Sequence, residues 1–325
     1  MLADPPGRPH DARAFVPPSG PPPISAGTTG IALRILTYNI HALPELIAGD
    51  NPRGRLPLIG DRIGSRYDVA LLQEHFEFPR HLTRALSATP FSLFQGNGPV
   101  IEPSLTARVI HFLASIPGRI LVGRSTPLDS GLTTLVMNDG AMHATRLVRR
   151  PFGVCDGYIL GKSDCLASKG VLGVRLEGAG VSVDLYNTHL DSRGESHNHH
   201  IRRRQLEILT EEIRRHSADR AVIVAGDFNS RLREPRDRQL LETFRESLDL
   251  TDAGARRSAA WGRPGGDLDY ILYRSGETVR LDLTEVGEDH GFRWRENSEP
   301  LSDHPALFAH FTAAPRTVEI ARVKH

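Results

Sequence analysis

The hydrophobic pattern of the chain is one of short strands. "LRILTYNI", residues 33–40, alternates as a half-buried strand does. "YDVALLQE" (67–74), "SGLTTLVM" (130–137), "KGVLGVRLE" (169–177) and "VSVDLYNTHL" (181–190) read as further strands. "RAVIVAGDFN" (220–229), "LDYILYR" (268–274) and "HPALFAHF" (304–311) complete the series. Helical spacing appears over residues 201–216, where Ile201, Leu206, Leu209 and Ile213 make one apolar stripe between charged faces. "RHLTRALSA", residues 80–88, is a shorter helical segment. Many strands with few helices predict a layered α/β fold around a substantial core.

Composition narrows the class. Eight of the 23 prolines fall in residues 1–30, which therefore read as an extended tail unable to bury a core. With no repeat visible, residues 31–312 form one domain and residues 313–325 a C-terminal tail. A net charge of +1 excludes a histone-like binder held by its overall field, but says nothing against a local site. Cys155 and Cys165 are the only cysteines, so a four-thiolate zinc site is excluded; one disulfide or two free thiols both remain open. No run of 18 apolar residues is present, so no transmembrane helix is expected. The first thirty residues lack the apolar stretch of a secretory signal, which leaves secreted and cytoplasmic locations both open.

The polar residues are informative because of where they fall. Asn39 ends the first strand and Glu74 the second; Asn187 and His189 end "DLYNTHLD"; Asp227 and Asn229 end "VIVAGDFN". Asp269 opens "LDYIL", and Asp303 and His304 precede the last strand. At any one strand such a residue can be explained by the turn, since Asp and Asn bond to nearby backbone. Across six strands that explanation weakens, because turns alone would scatter other residue types among these positions. Collected here are hard oxygen donors with two histidines and no thiols, a set that suits Mg²⁺, with Mn²⁺ as the alternative, rather than zinc.

TYN, QE, NTHL, GDFN, LDY and SDHP, in this order between about residues 34 and 311, resemble the exonuclease–endonuclease–phosphatase superfamily, the DNase I-like fold. The resemblance implies a four-layer sandwich, with two packed mixed β-sheets flanked by helices, and metal-dependent cleavage of a phosphoester. It implies Glu74 as the direct Mg²⁺ ligand with Asn39 beside it. It gives Asp227 and Asn229 the task of orienting the attacking water and holding a phosphate oxygen. His304 would be the general base, with Asp303 near the metal or polarising the imidazole. Asp269 would orient His189, and His189 would stabilise the developing charge or protonate the leaving oxygen. Such a set answers a chemical need: a phosphodiester anion repels hydroxide, so positive charge must neutralise it while a base generates the nucleophile.

Within the superfamily, "DCLASKG" places Asp164 five residues before Lys169 and Gly170, and is similar to the Asp-x4-Lys-Gly segment of neutral sphingomyelinases. Ser130 and Gly131 of "SGLTTLV" resemble a strand of the same branch. That likeness implies Lys169, Asp164 and Asn187 on the substrate side. It also implies hydrolysis of sphingomyelin to ceramide and phosphocholine at a membrane surface, by a chain expected to act as a monomer. An endonuclease, an inositol polyphosphate phosphatase and a non-catalytic interaction protein are the alternatives, and nucleic acid is a partner only under the first. Residues 105–123, with Val109, Ile110, Phe112, Leu113 and Ile116, are either a core segment or a membrane-contacting element. In "HNHHIRRRQ" the histidines read as a polar loop, while Arg202 to Arg204 suit either a solvated face or a phosphate-binding one. "GKS" at 161–163 is not a phosphate loop, because Asp156 stands where its first glycine is required.

Overall fold

A strand covered on both faces reads as a continuous apolar run, and an edge strand shows polar residues to solvent. The computed structural model describes residues 30–43, 51–76, 79–86, 90–98, 129–138, 142–156, 164–192, 196–256, 268–295 and 298–316. Its strands are β1 (Ile31–Ala42), β2 (Val69–His75), β3 (Phe91–Gln95), β4 (Thr133–Met137), β5 (His143–Pro151) and β6 (Gly170–Gly178). They continue with β7 (Val181–His189), β8 (Ala221–Asp227), β9 (Thr251–Asp252), β10 (Asp269–Arg274), β11 (Val279–Glu288) and β12 (Leu307–Pro315). The helices are α1 (Pro52–Arg66), α2 (Pro79–Ala85), α3 (Ser196–Ser217) and α4 (Pro235–Glu246).

Two six-stranded sheets result, ordered β11-β12-β1-β2-β4-β3 and β5-β6-β7-β8-β10-β9. Each holds one parallel pair, β1 with β2 and β7 with β8, and the remaining pairs are antiparallel. A parallel pair needs a crossover; α1 supplies it in the first sheet and α3 in the second. β8 is buried along its whole length, whereas β5, at a sheet edge, alternates between exposed and half-buried positions. One apolar core, including Leu33, Leu71, Leu185 and Ile223, fills the space between the sheets. A second packs α3 and α4 on the outer face of one sheet, and a third packs α1 and α2 on the outer face of the other. The expected four-layer sandwich is therefore present.

Several elements depart from the sequence reading. α1 was not expected, because Gly54, Pro57 and Gly60 lie within it. Two glycines and a proline cost roughly 5 kcal/mol of helix propensity. Burial of Leu56, Ile59 and Ile63, at roughly 1.5–3 kcal/mol each, offsets this, and Asn51 Oδ1 caps the helix by accepting the Gly54 N–H. Gly60 also lets α2 approach, since a Cβ there would lie 2.3 Å from Leu82 O. β12 runs to Pro315 with Ala313 and Ala314 buried, so the domain extends past residue 312. Arg202 belongs to neither a solvated nor a phosphate-binding face: it is 1% exposed and pairs with Asp237 at 2.9 Å. Arg203 and Arg204 are exposed and pair with Glu207. Residues 1–29, 105–123 and 317–325, which hold the expected Pro-rich tail, the candidate membrane element and most of the C-terminal tail, lie outside the described residues.

Asn187 is a correction to the substrate-binding set. Its Oδ1 accepts from Gln73 Nε2 at 2.8 Å, and its Nδ2 donates to Leu72 O and Thr133 O at 3.0 Å each. Gln73 also donates to Thr37 Oγ1 at 3.2 Å. With both ends of its amide engaged and no exposed surface, Asn187 clasps one sheet to the other and has nothing left for a ligand. Removing it takes a side-chain donor from the buried carbonyls of Leu72 and Thr133 and one acceptor from Gln73. Asn187→Ala is expected to lower the unfolding free energy by about 2–4 kcal/mol, read as a shift of the urea midpoint at constant slope.

Candidate active site

The topology brings the polar strand ends to one edge of the sandwich. The parallel pairs β1/β2 and β7/β8 both deliver their carboxyl ends there, carrying Asn39, Glu74, His189 and Asp227. Their antiparallel neighbours begin at the same edge, so Asp269 stands opposite Asp227, and the loop before β12 lies beside the end of β1. Gly226 makes the last step possible. Its φ is +150°, and a Cβ would fall 1.9 Å from Thr188 O, so only glycine allows β8 to lie this close to β7 just before Asp227.

Asn39, fully buried, spans the two sheets. Its Nδ2 donates to Glu74 Oε1 and to Asp227 Oδ2, both at 3.1 Å, and its Oδ1 accepts the His41 N–H at 3.1 Å. As arranged, Asn39 turns hydrogens rather than an oxygen toward the carboxylates. It spaces them, in place of the ligand role expected beside Glu74. Burial works against the charge on Glu74, yet His41, His189 and Asn39 outweigh it and hold the carboxyl down at about 2. Asp227 shapes the turn and also faces the site: Oδ1 accepts the Asn229 N–H at 2.9 Å, while Oδ2 lies 3.4 Å from His189 Nε2 and 3.7 Å from His304 Nε2. Asn229 adopts a left-handed φ of 47° and donates from Nδ2 to Leu190 O at 2.9 Å, tying the end of β8 to that of β7.

Asp269 pairs with His304, not with His189. Its Oδ2 lies 2.8 Å from His304 Nδ1, and sheet order is the reason: β8 separates β7, which carries His189, from β10, which carries Asp269. Burial raises the proton affinity of Asp269. Burial would lower that of His304, but Asp269, Asp227 and Asp303 overcome it and raise it well above the usual histidine value. His189 is the reverse case. Burial, reinforced by Lys169, lowers it to about 4, so it is a neutral imidazole near pH 7 and has no proton to give a leaving group. Its place next to Asp227 suits a neutral N–H donor.

On the far side of Glu74 and His189, Lys169 donates to Asp164 Oδ1 at 2.6 Å and to Leu190 O at 2.9 Å. Asp164 also accepts from Ser192 N and Oγ, at 3.1 and 2.6 Å. Burial opposes the Asp164 charge and Lys169 more than compensates, leaving its pKa lowered. Asp164 opens a short turn whose next residue, Cys165, is disulfide-bonded to Cys155. Asp303 is 61% exposed and does not touch the His304 ring; its Oδ1 accepts from Ser302 Oγ at 3.2 Å and lies 3.6 Å from His41 Nδ1. Three residues absent from the sequence reading complete the site. His41 Nδ1 lies 3.3 Å from Glu74 Oε2. Buried Arg55 donates to Ile40 O, His41 O and Leu301 O. Ser302 Oγ donates to Asn39 O at 2.7 Å. His41 and Arg55 carry no motif of their own, and Ser302, though it opens SDHP, was given no role there.

The donor set fits a hard divalent cation. Glu74 Oε2 and Asp269 Oδ1 are buried without a well-formed hydrogen bond among the described residues, though His41 Nδ1 lies close to the first. Asp227, Asp269 and His304 offer three ligand atoms within 4.8 Å of one another. Both Asp227 oxygens accept hydrogen bonds, from Asn229 N and Asn39 Nδ2, so Glu74 Oε2 and Asp269 Oδ1 are the oxygens most in need of an ion, with Asp227 beside them. Buried carboxylates lacking full hydrogen-bond partners are what such an ion would satisfy.

Two mixed sheets between helical layers, with acidic and histidine side chains gathered at one edge, define a DNase I-like architecture. Solved structures sharing it include a human Nocturnin catalytic domain (TM-score 0.58, 18% identity, 89% of this chain and 100% of that one). A beta toxin of Staphylococcus aureus with bound magnesium ions (TM-score 0.57, 16%, 86% and 99%) and sphingomyelinase C of Streptomyces griseocarneus (TM-score 0.54, 20%, 86% and 99%) share it as well. At these identities the likeness is one of fold. Residues 36–304 match the Endonuclease/Exonuclease/phosphatase family, and the chain belongs to that family. Sphingomyelinases of Mycobacterium bovis and Mycobacterium tuberculosis are 30% identical to it over 296 residues, covering 86% of this chain. The chain spans about half the length, 53%, of these curated relatives.

A cation bound by these carboxylates stabilises the folded state by mass action, by about 2.7 kcal/mol at a hundredfold excess over its dissociation constant. Mg²⁺ is expected to raise the melting temperature of the wild-type chain in a concentration-dependent manner, and Glu74→Gln to remove most of that rise. Scanning calorimetry with and without chelator checks both.

Proposed function

We propose that the protein is a Mg²⁺-dependent phosphodiesterase that hydrolyses sphingomyelin to ceramide and phosphocholine by in-line attack of water. The observation that carries the hydrolase reading is the His304–Asp269 pair, 2.8 Å apart and facing Asp227 at the strand ends. The sphingomyelinase relatives and the buried Lys169–Asp164 pair beside the site support the substrate.

In this reading Glu74, with Asp227 and Asp269 beside it, would hold the cation, which when bound would supply positive charge against the phosphodiester and lower the pKa of a water. His304 takes the water proton, and Asp269 stabilises the imidazolium that forms. The carboxylates of Asp269, Asp227 and Asp303 raise the proton affinity of His304 and so stabilise the imidazolium once it has formed. Asn229 donates a hydrogen bond to a phosphate oxygen, neutral His189 orients Asp227 through its Nε2–H, and Asp303 tunes His304 through space. Lys169 provides fixed positive charge on the substrate side. The Cys155–Cys165 disulfide supports folding in an oxidising compartment.

Phosphocholine release from sphingomyelin vesicles tests the reading. Release is expected with Mg²⁺, is abolished by chelator, and falls by roughly 10²–10⁴ in His304→Ala, the range for loss of a general base. No release, with the same protein nicking plasmid DNA or freeing phosphate from inositol phosphates, would keep the family and overturn the substrate.

A further inference from the structure

We propose that His41 is a positioning residue that holds the carboxylate of Glu74 in its ligating orientation and couples it to the loop carrying His304; this rests on the metal reading above. His41 is left-handed (φ 48°) at a bulge, where the register between β1 and β2 shifts from Asn39 to Ala42. A histidine in this region is strained unless its surroundings enforce it. Here they do. The His41 N–H donates to Asn39 Oδ1, and its carbonyl accepts from Arg55 at 2.8 Å. Arg55 also donates to Ile40 O at 2.8 Å and to Leu301 O at 2.7 Å, so one buried guanidinium fixes the bulge to the loop before His304.

The turn places the imidazole between two carboxylates. Nδ1 lies 3.3 Å from Glu74 Oε2 and 3.6 Å from Asp303 Oδ1. Glu74 is itself left-handed (φ 55°), so its direction is set by what its oxygens meet rather than by the strand. Oε1 is held by Asn39, and among the described residues the side chain lying against Oε2 is His41. Asp303, near the same nitrogen, is the residue next to His304. His41 therefore joins the proposed ligand to the residue beside the proposed base, and it works through both.

The experiment uses three variants of the full chain, His41→Ala, His41→Gly and His41→Asn, with Mn²⁺ binding followed by calorimetry and the melting temperature of the chelated protein recorded beside it. Glycine accepts the left-handed backbone but removes the 3.3 Å contact with Glu74; asparagine accepts the backbone and keeps a polar group near the position of Nδ1. Loss of an outer hydrogen-bond partner typically weakens metal binding 10–100-fold. His41→Gly and His41→Ala are expected to bind Mn²⁺ about 10–100-fold more weakly than wild type, with His41→Asn recovering most of the loss. Should His41→Ala fail to fold, His41→Gly carries the comparison. Wild-type affinity in His41→Gly would make the residue a turn former only and overturn the proposal. Absence of Mn²⁺ binding in the wild type would overturn it together with the metal reading.

Discussion

Two carboxylates from different sheets meet at a buried edge, and the site depends on what separates them. Unit charges of like sign about 4 Å apart repel by about 4 kcal/mol at an effective dielectric near 20. Between Glu74 and Asp227 stands the Asn39 amide, donating to both. It lowers the cost of bringing the charges together, and it fixes the spacing of the two sheets where they open to solvent. An aspartate at this position would add a third negative charge; an aliphatic residue would leave two carboxylates facing each other unscreened.

Beneath this layer the seam becomes progressively less polar. Gln73 and Asn187 form the next crossing, with Thr37 attached, and the apolar core between the sheets begins below them. The alternation of a strand explains the order. Thr37 and Asn39 share one face of β1, and Asn187 and His189 share one face of β7, so each pair steps from the clasp outward to the site. A polar layer of this kind, with its hydrogen bonds satisfied, fixes the relative position of two sheets more sharply than apolar packing alone.

The strand ends were legible because the chemistry sits on the pattern: each predicted strand appears, and most of the residues named on them lie at one edge. The pairings were not. That Asp269 serves His304 follows from β10 flanking β8 on the side away from β7, a fact of sheet order that local sequence does not contain. Asn187 looked like a site residue because it stands two positions from His189 on the same face, and depth along a strand is invisible without the partner sheet. α1 was hidden by its own glycines and proline, whose propensity cost is repaid only by tertiary burial. α4 and β11 were legible in retrospect, from Leu240, Leu241 and Phe244 in the one and alternation in the other.

Sheet order also dictates when the site can exist. β12, the last strand among the described residues, lies between β11 and β1, so β1 has its antiparallel neighbour only once β12 is available. His304 reaches Asp269 by the same closure. On a ribosome, β1 must therefore wait, one edge unpaired, through synthesis of nearly the entire domain. Long-range pairing of this kind slows folding and exposes strand edges to other chains. For this family member the assembly of the strand-end residues and the completion of the topology coincide.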